Sequence, residues 1–156
     1  MLSKTCALIL EDLRSVENTA SIFRTAEGLG VSKIFLIGTT PAPLDRFGRK
    51  RTDFAKVSLG SEDMVPWEYK KDIEEVLEEL KEQDFQIVSL ELTHESKDLR
   101  DFEAKSPFAL IVGNEVDGVS KEALKNSDAM VEIPMRGKKE SLNVSVSTGI
   151  ALFVLI

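Results

Sequence analysis

The stretch Ile133-Pro134-Met135-Arg136-Gly137 leads, after three polar residues, into Ser141-Leu142-Asn143-Val144-Ser145 near the end of the 156-residue chain. It reads as a strand running into a glycine-bearing basic loop, after which small hydroxyl and amide side chains open a helix. The first N–H groups of a helix have no partner within it, and side chains there that both donate and accept suit a polar ligand with a ribose or a carboxylate. The residues that follow, Gly149 to Ile156, are almost wholly apolar, more than a one-sided surface helix requires. They are too few to cross a bilayer, so a partner subunit is expected to cover the second face.

Working back along the chain, apolar runs at 6–10, 33–37, 85–92, 108–112 and 129–133 alternate with helical patterns. That alternation predicts an α/β fold, a mostly parallel sheet flanked by helices. The first predicted helix places Phe23, Ala26 and Leu29 on one side and stops at Gly30. Its polar side carries Asn18, Ser21, Arg24 and Thr25 at spacings that share one face. Between residues 68 and 82, Ile73, Val76, Leu77 and Leu80 predict a solvated surface helix. The segment Gly38 to Pro66, rich in Pro, Gly, Thr and Arg, is long for a simple connection, as functional loops are.

Length and a 42% hydrophobic content fit one domain over residues 1–156, without an added N-terminal RNA-binding module. No basic segment leads into an apolar leader and no run approaches bilayer length, so the expected compartment is the cytoplasm. Cys6 stands alone in an apolar run and reads as a small buried hydrophobe. One Cys and one His make no zinc set, and no metal is expected. His94 reads as an exposed loop residue. The net charge of −7 is unevenly distributed, because residues 62–103 hold 15 acidic and 5 basic residues, leaving 12 acidic and 15 basic elsewhere. Two basic clusters, Arg46, Arg49, Lys50 and Arg51, and Arg136, Lys138 and Lys139, sit in predicted loops and are candidate phosphate contacts.

Two more segments join the opening one: Ile111-Val112-Gly113-Asn114-Glu115-Val116-Asp117-Gly118, and Asn18-Thr19-Ala20-Ser21-Ile22-Phe23-Arg24-Thr25-Ala26. Together, and in this order, the three resemble the motifs of the SpoU/TrmH branch of the SPOUT RNA methyltransferases. Ala20 stands where that family usually has Gly and Ser147 where Ala is common; both keep the site small. The resemblance implies a SPOUT fold with a C-terminal deep trefoil knot, a homodimer, and methyl transfer from S-adenosylmethionine, usually to a ribose 2′-hydroxyl of tRNA or rRNA. It further implies catalytic roles for Arg24, Asn18, Glu115, Ser141 and Asn143, with Glu115 supporting Arg24 and the motif loops. The cofactor would meet Leu92, Gly113, Ile133, Met135, Ser141 and Leu142, largely through backbone groups.

On the residues alone, Asn18 reads equally as a helix cap, Ser141 as another, and Glu115 as a carboxylate satisfying the backbone near Ser120. Guanidinium stays protonated in proteins, so Arg24 suits electrostatic stabilisation better than proton abstraction. The competing function is a non-catalytic RNA-binding or ribosome-assembly factor on the same fold. A nicotinamide-linked oxidoreductase is set aside, because no G-x-G-x-x-G follows a strand.

Overall fold

The computed structural model describes residues 3–156. Among them the chain forms β1 (Cys6–Glu11), α1 (Val16–Gly28), β2 (Lys33–Ile37), α2 (Thr52–Ser58), β3 (Trp67–Lys70), α3 (Ile73–Glu82), β4 (Gln86–Leu90), β5 (Lys97–Asp98), β6 (Phe108–Val112), α4 (Lys121–Lys125), β7 (Ala129–Glu132) and α5 (Val144–Leu155). The strands make one sheet in the order β3-β2-β1-β6-β4-β7-β5, with every pairing parallel.

Alternation along the central strands divides the core into two layers. Cys6, Leu8 and Leu10 face a cluster that holds Phe23 of α1, Phe54 of α2 and Leu152 of α5. Ala7 and Ile9 face the other cluster, with Val76, Leu77 and Leu80 of α3 and Ala123 of α4. Helices cover both faces, which is why β1 and β6 are apolar at nearly every position rather than alternating. The acidic helix α3 therefore lies across the sheet from α1 and its polar face.

Three sequence expectations need correcting. The helix expected from residue 68 begins at Ile73, and Trp67–Lys70 adds an edge strand beside β2. Trp and Tyr favour a pleated, half-buried edge, and the helical period starts only at Ile73. The strand expected over 85–92 ends at Leu90, and the one expected over 129–133 ends at Glu132. β5 is a two-residue pairing with no apolar run to announce it.

Because the sheet is parallel, the carboxyl ends of β1, β4, β6 and β7 share one edge. Residues 12–15, 91–93, 113–120 and 133–143 leave the sheet there, and crevices in open α/β folds form at such an edge. Helix α5 packs against α1, with Gly149 facing Thr25 across the contact. Thr148, Ala151, Leu152 and Leu155 are buried by that packing, whereas Ile150 and Phe153 on the far side are 39% and 77% exposed. Among the described residues no helix is long and apolar enough to cross a membrane.

Candidate active site

The carboxyl edge opens into a cleft of about 910 Å³ whose walls come from the ends of β4 and β6, the start of α1 and the segment before α5. An adjoining lobe of about 540 Å³ extends under the 132–135 segment. Asn18, Leu92, Gly113, Glu115, Ser141, Leu142 and Asn143 line the larger part. Ile133, Met135 and Lys139 line the smaller one, which shares Leu92, Ser141 and Leu142 with its neighbour. All three motifs thus converge on one space. Ser147, the small residue noted in the sequence, borders both lobes. Arg24 is the exception: it is exposed on α1 and lines neither lobe.

The first and third motifs touch directly. Asn143 Nδ2 donates to Asn18 Oδ1 at 3.1 Å, across 125 residues of sequence. Asn143 also caps α5, its Oδ1 accepting from the backbone N–H of Ser145 at 2.8 Å and of Val146 at 3.3 Å. Neither Asn18 nor Ser141 is a cap. Ser15 caps α1, accepting from Asn18 N at 3.0 Å, which leaves the Asn18 side chain free to meet Asn143.

The turn between β6 and α4 is tied down at several points. Asn114 Nδ2 donates to the Asp12 carbonyl at 2.7 Å, and Asn114 Oδ1 accepts from Val116 N and Asp117 N at 2.8 and 2.9 Å. A Cβ on Gly113 would overlap the carbonyl group of Gly118 and the nitrogen of Val119, so only glycine fits. Gly118 has φ +72°, and a side chain there would strike the Glu91 carboxylate. That carboxylate accepts from Val119 N at 2.8 Å and Leu92 N at 3.0 Å, joining the turn to the end of β4.

Glu115 does not satisfy the backbone near Ser120. It accepts from Arg14 N at 3.2 and 3.3 Å, holding the β1–α1 loop, while the buried Glu11 accepts from Ser120 N at 2.9 Å and from Ser120 Oγ at 2.7 Å. Among the described residues no ion pair joins Glu115 to Arg24. Glu11 and Glu91 escaped the sequence reading. Both are acids closing an otherwise apolar strand at the carboxyl edge, and that position was the available signal.

The first basic cluster is largely paired. Arg49 meets Asp45 at 2.9 Å, Lys50 meets Asp63 at 2.7 Å and Arg51 meets Asp53 at 2.8 Å. Among the described residues Arg46 has no ion pair, nor do the exposed Arg136, Lys138 and Lys139. Cys6 is buried, and loss of hydration pushes its thiol up to about 12. His94 is exposed in the β4–β5 connection.

The walls suit an adenosine-bearing cofactor. Leu92, Ile133, Met135 and Leu142 supply apolar surface, and from Met135 to Asn143 no main-chain N–H is paired among the described residues. Free backbone donors beside apolar walls can read an adenine and a carboxylate without dedicated side chains.

A parallel α/β sheet with a cleft at its carboxyl edge, bordered by a glycine turn and an asparagine-capped helix, is an architecture that suits a nucleotide-bearing ligand. The SpoU rRNA Methylase family profile matches residues 5–153. The chain belongs to that family. It is 33% identical over 150 residues to a tRNA (guanosine(18)-2′-O)-methyltransferase of Aquifex aeolicus, covering 96% of this chain and 68% of the relative. It is 33% identical over 145 residues to a 23S rRNA (guanosine-2′-O-)-methyltransferase of Neisseria meningitidis, covering 93% of this chain and 55% of the relative. The crystal structure of an AdoMet-bound rRNA methyltransferase from Sinorhizobium meliloti superposes with a TM-score of 0.85 at 28% identity, over 97% of this chain and 56% of that one. The chain thus spans little more than half the length of some of these relatives.

Proposed function

We propose that the protein transfers a methyl group from S-adenosylmethionine to a ribose 2′-hydroxyl of tRNA or rRNA. The observation that carries this reading is the Asn18–Asn143 hydrogen bond at the rim of the cleft, which unites two of the three family motifs at one point. The names of the relatives, tRNA and 23S rRNA 2′-O-methyltransferases, support the same acceptor.

When bound, S-adenosylmethionine supplies an electrophilic methyl group on a sulfonium centre. Leu92, Gly113, Ile133, Met135, Ser141 and Leu142 form the walls that would hold it. A 2′-hydroxyl is a weak nucleophile, so the chain must align it and manage the charge that grows on it. Asn18 and Asn143, already paired, orient the ribose. Arg24 lies six residues beyond Asn18 on α1, about 9 Å further along the helix axis. That separation suits the phosphate of an adjoining nucleotide, which the planar guanidinium fork clamps while its charge stabilises the developing alkoxide. Glu115 holds the Arg14 backbone and so the entry to α1. Arg136, Lys138 and Lys139 supply further phosphate contacts.

The active unit is a homodimer in the cytoplasm, its interface built on the exposed apolar face of α5. Residues 113–143 form the knotted segment. That reading is supported by β4 lying between β6 and β7. Tritium transfer from labelled cofactor into total RNA tests the function. Arg24→Ala is expected to lower kcat by at least a hundredfold, and near-normal turnover by Arg24→Lys would refute the phosphate clamp. Cofactor binding without transfer to any RNA would favour the binding-factor alternative.

A further inference from the structure

The β2–α2 connection carries a short hairpin whose tip has no packing purpose. Leu44 and Lys50 bridge antiparallel, and between them Asp45 organises the turn. Asp45 Oδ1 accepts from Phe47 N at 2.8 Å and Arg49 N at 3.0 Å, and Asp45 Oδ2 accepts from Arg49 Nε at 2.9 Å. Gly48 completes the turn at φ +78°. The backbone hydrogen bonds from Arg49 and Phe47 and the Arg49 side chain hold the Asp45 carboxyl below its ordinary range.

Held up by this frame, Phe47 is 66% exposed. The guanidinium carbon of Arg46 lies 4.8 Å from the ring centroid and that of Arg49 lies 5.0 Å from it. Two guanidinium groups already lie over a ring that stays largely exposed, and this pairing selects what can join it. The ligand must present a flat π face and carry negative charge beside it. An unpaired nucleotide meets both requirements, since its base stacks on aromatic or guanidinium planes while its phosphate meets a cation. Regular duplex offers phosphates but no free base face.

The position agrees. The hairpin leaves β2 at the carboxyl edge of the sheet, and its root is fastened to the β1–α1 loop by Leu13 N donating to Thr40 Oγ1 at 3.0 Å.

We infer that the 45–49 hairpin tip is a stacking platform for an unpaired base of the RNA, with Phe47 under the base and Arg46 on the flanking phosphate. The inference rests on the RNA-methyltransferase reading above. Arg49, Lys50 and Arg51, committed to Asp45, Asp63 and Asp53, are left out of the contact.

Fluorescence anisotropy with a labelled RNA stem–loop and a labelled blunt duplex tests it, using the wild-type protein, Phe47→Ala, Phe47→Trp and Arg46→Ala, with S-adenosylmethionine affinity measured alongside as a check on the fold. Phe47→Ala is expected to weaken stem–loop binding about tenfold and duplex binding hardly at all, and Phe47→Trp to restore it. The new tryptophan should be quenched by the stem–loop beyond any change in Trp67 seen in the wild type. Equal stem–loop affinity for wild type and Phe47→Ala, with a loss only in Arg46→Ala, would overturn the stacking role and leave the RNA reading intact. If wild type binds cofactor but neither RNA, the RNA reading fails and the platform with it. A change in oligomeric state on Phe47→Ala would assign the tip to a second copy of this chain and overturn the inference as well.

Discussion

Asn143 performs two tasks with one side chain, and they can be separated. Asn143→Ser keeps a good capping oxygen but cannot reach Asn18. Its unfolding free energy should stay within about 0.5 kcal/mol of wild type, whereas Asn143→Ala should lose about 1 kcal/mol. Both should lose methyl transfer alike, by tenfold or more in kcat/KM, and a fully active Asn143→Ser would show that only the cap matters. Glu91 poses a similar question at the cleft wall. Its carboxylate serves Leu92 N and Val119 N together, so Glu91→Gln leaves one N–H facing an amide NH2 group. Cofactor affinity should fall about tenfold, since hydrogen bonds to charged groups contribute about 1.5–3 kcal/mol. Cys6 gives a pH-dependent signature. Burial favours its neutral thiol, so its contribution to stability is full below the ordinary thiol value of 9.0 and is lost as pH rises from there toward about 12. Urea midpoints of wild type and Cys6→Ala should therefore converge as pH rises from 9.0 toward about 12, and parallel curves would contradict this.

At the scale of elements, the turn at Gly113 is the most constrained. Gly113→Ala must push the Gly118–Val119 backbone aside, and thermal unfolding should show a loss of about 1–3 kcal/mol. The central strands and α1 were legible in the sequence because β1, β2 and β6 are covered on both faces and α1 has one apolar side. The edge strands β3 and β5 were not, since a half-exposed strand such as Trp67–Lys70 has neither a long apolar run nor a clean period. Leu92, Gly113, Ile133, Met135, Ser141 and Leu142 were named from the family resemblance, and the structure places all six around one cleft, where the proposed cofactor role rests on them. Which side chain does what was less legible. The choice among Ser15, Asn18, Ser141 and Asn143 as caps depends on where each helix begins, and the choice between Glu11 and Glu115 as partner of Ser120 depends on loops far apart in sequence. The doubled apolar character of α5 was visible, and Phe153→Glu is expected to convert a dimer to a monomer in sedimentation velocity.

At the scale of the whole molecule, the proposed function requires an acidic protein to bind a polyanion. Separation helps: α3 holds five glutamates on the face away from α1 and α5, while Arg24, Arg46, Arg136, Lys138 and Lys139 stand in the loops and on the helix around the carboxyl edge. RNA affinity should fall with rising salt, with a slope that decreases when any of these cations is neutralised. The central claim is the acceptor atom. It is tested by incubating the protein with methyl-labelled S-adenosylmethionine and with tRNA and rRNA from a strain lacking the gene, then digesting the RNA to nucleosides for mass spectrometry. The expected product is a 2′-O-methylated nucleoside that is absent with Arg24→Ala; a methyl group found only on a base nitrogen would contradict the assignment.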